Sequence, residues 1–447
     1  MIVIVRLSGF VKRNYSFIFQ KRNLVILLLL GLALRLVFMP FTMMTDLSHN
    51  YYQYFEDRSN HAGYFSSVHL LPLSQPMHYL SASFYSLMIP AGRWYDMKLV
   101  AEANNPAVDH FLTRTYLLEK ALLASPPVHL KIFLLKLPYL IFDMAILFLL
   151  PLFFEDEKKK RIAFILWIFN PVAIMDSFIF GTPDVIWIFF VVLAFYQVYR
   201  HRLFISILLI LFSALFRPYS LLLLPLFLLL MLKDKVIGLG KKMAFISGSI
   251  IAFILAAWLI FSRWGYQLAQ ATTRIPSAYM FTMRMGEFVD VYIFFLAYAL
   301  VIFAYWHWAD AEFKTLCKYS LIICLIFFAM CFFHPQWFLL ITPLAIFMII
   351  EDRTRTMGKM FALMMASLMT LLFFWGNHLT INLLAPLNRA ILDVPELKDA
   401  LAARIDITML FGLLWTFFVA ITLFICFLVA RSVISDRKAK EELYENQ

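Results

Sequence analysis

The stretch that decides the fold is Leu203–Leu232, which reads LFISILLILFSALFRPYSLLLLPLFLLLML. A single helix of this length would extend for about 45 Å, well beyond the roughly 30 Å hydrocarbon core of a bilayer. Arg217–Pro218 interrupts the run, and proline inside a helix breaks or kinks it. We therefore predict two half-length helices, which return the chain to the side of the membrane on which it started.

Similar apolar runs recur from end to end of the chain. Hydrophobic residues make up 63% of the 447 residues and charged residues only 15%, whereas soluble domains carry about 25% charged residues. The sequence therefore predicts an all-α, polytopic transmembrane bundle of about 12 spans, folded as a single domain over residues 1–447. The predicted spans are Leu24–Met39, Lys131–Phe154, Arg161–Ile174, Asp184–Tyr199, Leu203–Phe216, Pro218–Leu232, Met243–Phe261, Val291–Trp308, Ser320–Phe333, Gln336–Ile350, Met360–Trp375 and Met409–Ala430.

Basic residues are concentrated in alternate connections. They occur in the N-terminal segment, Glu155–Arg161, Arg200–Arg202, Lys233–Lys242, Lys314–Lys318, Arg353–Lys359 and the tail from Arg431. Cytoplasmic loops carry such an excess of lysine and arginine, so we predict an integral, multi-pass membrane protein with both termini cytoplasmic. In a bacterium this would be the plasma membrane. The net charge of +11 is explained by these loops, and we predict no binding to nucleic acid.

The remaining connections are long and lie on the opposite face, which we call the outer face. They are Pro40–Leu130, Ser262–Asp290 and Gly376–Thr408. Within the first outer loop, residues 40–130, helical spacing predicts interfacial helices near Leu80–Ala91 and over Asp109–Leu123. This loop acts either as a lid over a site or as a structural cap, and its composition does not decide between the two.

Charged residues at lipid depth are costly and usually face the interior of a bundle. Asp143 is predicted to neutralise a cation on another helix, and Lys136 is too far from it along the same helix to be that partner. Arg35 either extends to the interface or faces a lipid phosphate. Cys317, Cys324 and Cys331 are expected to serve as small apolar packing residues.

Two residues are the main candidates for chemistry. Arg217 stands at the outer apex of the half-length helices, where it either clamps a phosphate through paired hydrogen bonds or serves as an interfacial anchor. Asp46 opens the first outer loop with His49 behind it, in a position that suits a general base. By its local pattern alone, Asp46 fits an ordinary loop residue equally well.

Two further outer turns carry polar side chains. Thr182, Pro183 and Asp184 have the pattern of a helix start, with Thr182 as the N-cap, whereas Asp176 has no such explanation. His334 and Gln336 surround Pro335 in another turn, where the histidine is a candidate ligand for a phosphate or sugar. No metal-binding motif occurs, so no cofactor is predicted and a divalent metal is not supported.

Four segments together resemble the GT-C superfamily of multi-span glycosyltransferases, and most closely its mannosyltransferase-like branch. In chain order they are KLPYLIFDMAILF (136–148), WIFNPVAIMDSFIFGTPDVIW (167–187), LFRPYSLLLLPLF (215–227) and HPQWFLLITPLAIF (334–347). The resemblance implies a polyprenyl-phosphate-linked sugar as donor, with mannose favoured, and a lipid or glycan as acceptor. Thr45 and Leu47 flank Asp46, whereas many family members have an acidic pair at this place.

The mechanism that this resemblance implies is inverting transfer with Asp46 as general base. Arg217 would stabilise the donor phosphate together with Arg35, Arg274 and His334. His49, Asp176, Asp184 and Gln336 would line the cavity.

Three other functions share the same features. They are a transporter or flippase for a lipid-linked sugar or small solute, a lipid-linked glycan polymerase or ligase, and a scaffold subunit without catalysis. The absence of an internal repeat disfavours the transporter.

Overall fold

The computed structural model describes residues 22–45, 47, 119–120, 122–124, 127–262, 282–285, 289–331, 333–352, 354–402 and 404–445. Seven of the described helices are long and apolar enough to cross a membrane, and five shorter apolar helices coincide with the other five predicted spans. The prediction of an all-α, polytopic membrane bundle is therefore confirmed. These helices are α1 (Arg22–Phe41), α2 (Val128–Leu149), α3 (Glu157–Ile168), α4 (Asp184–Tyr199), α5 (Leu203–Phe216), α6 (Leu224–Lys233), α7 (Leu239–Ser262), α8 (Ile293–Trp308), α9 (Phe313–Met330), α10 (Thr342–Glu351), α11 (Thr356–Trp375) and α12 (Ile407–Glu445).

One departure from the all-helical prediction lies in the second outer connection. Strand β1 (Thr282–Met285) pairs antiparallel with β2 (Val289–Tyr292), and Thr282 faces Tyr292 across the pair. The hairpin leads directly into α8. The fold class is unchanged, because these strands are short and belong to a connection.

The decisive stretch folds as two helices, as predicted. Helix α5 ends at Phe216, and Arg217 is extended, with φ −147° and ψ 126°. A 3₁₀ turn, Pro218–Leu222, then leads into α6. Pro218 supplies the physical cause, because it has no N–H to donate to the preceding turn, its ring clashes with that turn, and it favours an extended conformation at Arg217.

The third predicted span is broken in the middle. Helix α3 ends at Ile168, and Asn170 caps the next turn by accepting hydrogen bonds from the N–H groups of Val172 (2.9 Å) and Ala173 (3.0 Å). The chain continues as a π-helical segment, Ile174–Phe180, and ends at Gly181 in the left-handed conformation with φ +80°. A π-helix has wider turns than an α-helix and occurs frequently at functional sites.

Three of the predicted basic connections, Glu155–Arg161, Lys314–Lys318 and the tail from Arg431, meet at one end of the bundle, which we call the basic end. Glu351 at the end of α10 accepts hydrogen bonds from Lys159 of α3 (2.5 Å) and Lys314 of α9 (2.9 Å). Lys318 pairs with Asp436 of α12 at 2.6 Å. These contacts place the ends of four helices together, as the alternation of basic loops predicts.

The first and third outer connections meet at the other end, together with the turn after the π-helical segment. The Met43 N–H donates to the Leu383 carbonyl (3.0 Å), and the Met44 N–H donates to the Phe180 carbonyl (2.7 Å). Leu379 and Leu383 pack there with Met44, Met175 and Phe180. We call this the outer end.

The bundle has a buried centre and an apolar periphery. Helix α9 is the most enclosed of the long spans, whereas most of α7 is exposed. Cys317 and Cys324 of α9, and Cys331 directly after it, are buried in the core and not in disulfides, which confirms their prediction as packing residues. Exposed apolar side chains on the outer helices are the surface that a bilayer requires.

Candidate functional site

An acidic and basic cluster lies at the outer end, between the π-helical segment, α4 and the turn after α5. Asp184 is fully buried, and its Oδ1 accepts hydrogen bonds from Arg217 Nε (2.9 Å) and Trp187 Nε1 (2.8 Å). The side chain of Arg217 is 10% exposed and that of Asp184 is fully buried, so Arg217 is the more accessible residue of the pair. The Oδ2 atom of Asp184 is buried and accepts no hydrogen bond within the described part of the chain.

Asp176 forms the second carboxylate of this cluster. Thr182 Oγ1 donates to its Oδ1, and Ser177 Oγ donates to its Oδ2 at 3.4 Å. The backbone carbonyl of Asp176 also accepts the N–H groups of Gly181 (3.0 Å) and Thr182 (3.1 Å). Asp176 lies close enough to Asp184 and Arg217 for the charges to interact. Asp176, Asp184 and Arg217 therefore act as one electrostatic unit, which we call the outer cluster.

The prediction that Thr182 caps α4 is wrong. Pro183 occupies the N-cap position, and no side chain provides a cap hydrogen bond. Thr182 is turned towards Asp176 instead, because the tight turn at Gly181 returns the chain over the end of the π-helical segment. The local sequence pattern is typical of a helix start, but in the structure Thr182 belongs to a polar cluster with Asp176.

His334 and Gln336 come to the same end of the bundle. The 3₁₀ turn Pro335–Leu340 packs against α4. Its Trp337 ring lies 4.3 Å from the Tyr219 ring, two residues after Arg217, and 5.6 Å from the His334 ring. Gln336 is buried and His334 is exposed. The structure thus gathers three separate outer turns around Arg217 and Asp184.

Arg35 lies in a second, separate network in the middle of the bundle. Its Nε pairs with Asp143 Oδ2 at 2.6 Å, and Asp143 Oδ1 accepts Trp167 Nε1 at 3.0 Å. This confirms the prediction that Asp143 neutralises a cation on another helix. Arg35 is fully buried and does not extend to the interface.

The break in the third span explains the other contacts of Arg35. Pro171 has no N–H for the Trp167 carbonyl, and the Val172 N–H that Ile168 would use is bound to Asn170. The Trp167 carbonyl accepts the Asn170 N–H (3.0 Å) instead, and the guanidinium adds donors, with Nη1 donating to Ile168 (2.5 Å) and Nη2 to Trp167 (3.4 Å). Arg35 therefore binds the last carbonyls of α3. The prediction that it contacts a donor phosphate is wrong, because its guanidinium is buried and donates hydrogen bonds within the protein.

Lys136 joins the two outer segments that flank the cluster. It is fully buried, and its Nζ donates to the carbonyls of Thr42 (2.5 Å) and Phe178 (2.6 Å). A Cβ at Gly181 would lie 2.6 Å from Lys136 Cε, so only glycine leaves room for the lysine. The sequence marked Lys136 as a buried charge but did not indicate this role.

Three predicted site residues, Asp46, His49 and Arg274, lie outside the described residues. The structure therefore does not place the predicted general base relative to Arg217. The interfacial helix predicted near Leu80–Ala91 also lies outside them. Among the described residues, no group of three histidine, cysteine or acidic side chains is arranged to hold a metal ion.

The comparisons with known proteins point away from the predicted reaction. The family model of the GPI transamidase subunit PIG-U matches residues 116–293, less than half of the 447-residue chain. A search of the curated proteins found no match. Over the matched range, which contains Asp143 and the whole outer cluster, the chain is similar to a family of multi-pass membrane proteins.

This match corrects the functional predictions. The family is named for a subunit of a GPI transamidase, which is an enzyme complex, and neither for a polyprenyl-phosphate glycosyltransferase nor for a transporter. The predicted sugar transfer and its transporter alternative are therefore wrong. The four segments that carried the resemblance are short and apolar, so the needs of a membrane bundle alone account for much of their likeness. The chain is an integral membrane protein with similarity to a subunit of a membrane enzyme complex.

Proposed function

We propose that this chain is a membrane subunit of an enzyme complex that acts on a glycolipid anchor, and that its outer cluster binds the head group of that lipid. The match of residues 116–293 to a GPI transamidase subunit is the observation that carries the proposal. Asp176, Asp184 and Arg217 all fall inside this range, so the proposed binding groups belong to the part of the chain that is similar.

The lengths of the helices support a binding depression at the outer end. Helix α5 has 14 residues and is about 21 Å long, whereas the hydrocarbon core is roughly 30 Å thick. Arg200 and Arg202 directly precede α5 at the basic end of the bundle, and arginines are common at the cytoplasmic interface. With that end at the interface, Arg217 lies about 9 Å below the opposite edge of the hydrocarbon core. A lipid head group would have to descend to this level to meet the cluster.

The chemistry of the cluster suits a polar head group. Arg217, the more accessible residue of the pair, can donate to a phosphate, and the buried Oδ2 atom of Asp184 can accept from a hydroxyl or an amine. These groups recognise a phosphorylated glycan without requiring a reaction at the site.

The orientation forms part of the proposal. We place both termini and the basic end in the cytoplasm, because lysine- and arginine-rich connections gather there. The outer cluster then opens to the side on which a glycolipid anchor is exposed. In a bacterial cell the membrane concerned would be the plasma membrane.

The first test asks whether the chain belongs to a complex. The protein is purified from membranes of its own source in a mild detergent, and the particle mass is measured together with acyl transfer from a peptide amide to hydroxylamine. We expect a particle well above the 52.3 kDa of the single chain, with transfer activity in the complex and none in the isolated chain. A particle containing only this chain, without transfer activity, contradicts the subunit proposal.

The second test concerns the head group. Binding of a glycosylated phosphatidylinositol to the chain in nanodiscs is compared for the wild type, Arg217→Gln and Arg437→Gln, the last of which lies on α12 towards the basic end. Loss of a hydrogen bond to a charged group costs about 1.5–3 kcal/mol, so we expect binding to weaken by about tenfold or more in Arg217→Gln alone. Equal binding by all three proteins contradicts the assignment of the site.

A further inference from the structure

The third outer connection presents an apolar face that the fold itself does not cover. Residues Ile381–Leu384 form a 3₁₀ helix, and the turn that follows continues the same spacing, because the N–H groups of Ala385 and Leu387 donate to the carbonyls three residues earlier. Side chains three residues apart in such a structure eclipse one another. Ile381, Leu384 and Leu387 therefore form one row, which we call the apolar row.

The two sides of this segment differ sharply. Leu383 and Ala385 are buried, and the Leu383 carbonyl holds the Met43 N–H at 3.0 Å. The residues of the apolar row are 37%, 43% and 57% exposed in chain order. The segment is thus fixed to the end of α1 by one side, while three large apolar side chains project from the other.

The surface on either side of the connection is apolar as well. Phe373 is exposed near the end of α11, and Met409 and Leu413 are exposed near the start of α12. These are the two spans that the connection joins, and their exposed faces meet lipid in an integral membrane protein. The apolar row therefore extends a lipid-facing surface beyond the ends of the helices.

We propose that the apolar row inserts into the bilayer at the boundary between head groups and acyl chains of the outer leaflet. Apolar side chains on a segment that lies along an interface bury themselves about 5–10 Å into this boundary. Leu383, on the covered side, packs with Met44, Met175 and Phe180 beside the π-helical segment that carries Asp176. Lipid would then lie on the far side of the apolar packing that Met175 and Phe180 of the π-helical segment make with Leu383. The exposure and spacing of the apolar row do not depend on membership of an enzyme complex.

Fluorescence quenching tests the insertion. Leu387→Cys and Ile381→Cys are labelled separately with a small polarity-sensitive dye in nanodiscs. The matched control is Asp399→Cys, which replaces an exposed polar side chain in the same connection, on the short helix Leu397–Ala402. Cys317, Cys324 and Cys331 are buried and Cys426 is partly buried, so the labelled wild-type protein supplies the background.

The expected result is that lipids with a nitroxide on the fifth acyl carbon quench the dyes at 381 and 387 about twofold or more beyond the dye at 399. Aqueous iodide should show the opposite order. Equal quenching of all three dyes by iodide overturns the proposal. Protection of the 381 and 387 dyes from both quenchers, in a particle of twice the mass, also overturns it, because the row would then be covered by a second copy of the chain.

Discussion

Replacing Asp143 with asparagine tests whether the buried ion pair between Arg35 and Asp143 stabilises the bundle. The change keeps the size of the side chain but removes the charge that Arg35 meets at 2.6 Å, with both side chains fully buried. The guanidinium would keep its contacts with the carbonyls of Ile168 and Trp167. It could not move to water, because no part of it is exposed. Asp143→Asn therefore leaves a buried positive charge without its counter-ion.

The loss of stability that we expect for Asp143→Asn follows from the burial of the ion pair. Removing one partner of a buried ion pair typically costs about 3–5 kcal/mol, which raises the unfolding equilibrium constant by about 150-fold to several thousand-fold. The control is Glu157→Gln, which removes the partner of Lys160 at the exposed start of α3. Exposed pairs contribute about 0–1 kcal/mol. The two substitutions thus differ in burial and share the loss of one carboxylate.

The assay is reversible unfolding in mixed micelles, followed by tryptophan fluorescence. A further variant, Arg35→Met with Asp143→Leu, removes both charges and is expected to be more stable than Asp143→Asn, because no charge is then left unpaired. If Asp143→Asn loses no more stability than Glu157→Gln, the pair does not stabilise the bundle and the reasoning is refuted. If the double variant is less stable than Asp143→Asn, the unpaired charge of Arg35 is not what destabilises the single variant.

Three further predictions concern the outer end. Gly181→Ala should lower stability by about 1–3 kcal/mol in the same unfolding assay, since the left-handed conformation and the contact with Lys136 both disfavour a Cβ; unchanged stability contradicts the fit. Asp184→Asn should cost more than Asp399→Asn, because it removes the charge that faces Arg217, and equal losses argue against the pair. Burial raises the pKa of Glu119 to about 7 from its ordinary 4.5, against the lowering effect of the hydrogen bond from Thr45. Stability from this group is present below pH 4.5 and is lost as the pH rises through 7, by about 3 kcal/mol, and Glu119→Gln should remove this dependence.

The positions of the helices were readable from the sequence, because they follow from one local requirement. A bilayer demands apolar runs of limited length, and Pro218 interrupts the one run that was too long. Asp143 was also readable as a partner for some cation, since a lone charge at this depth is too costly to keep. The function could not be read from the sequence, because short apolar segments such as 334–347 carry little chemical information.

Which charges meet was decided only by the tertiary structure. Arg35 and Asp143 are 108 positions apart, and Arg217 and Asp184 are 33 apart. Spacing within one helix cannot predict such pairs, because they depend on how separate helices pack and where each one breaks. Thr182 shows the same limit, since its local pattern indicated a helix cap and the returning chain placed it on Asp176. Hydropathy along the chain thus determined a many-helix membrane bundle with its basic loops at one end, whereas the outer cluster exists only because three-dimensional packing joins distant turns.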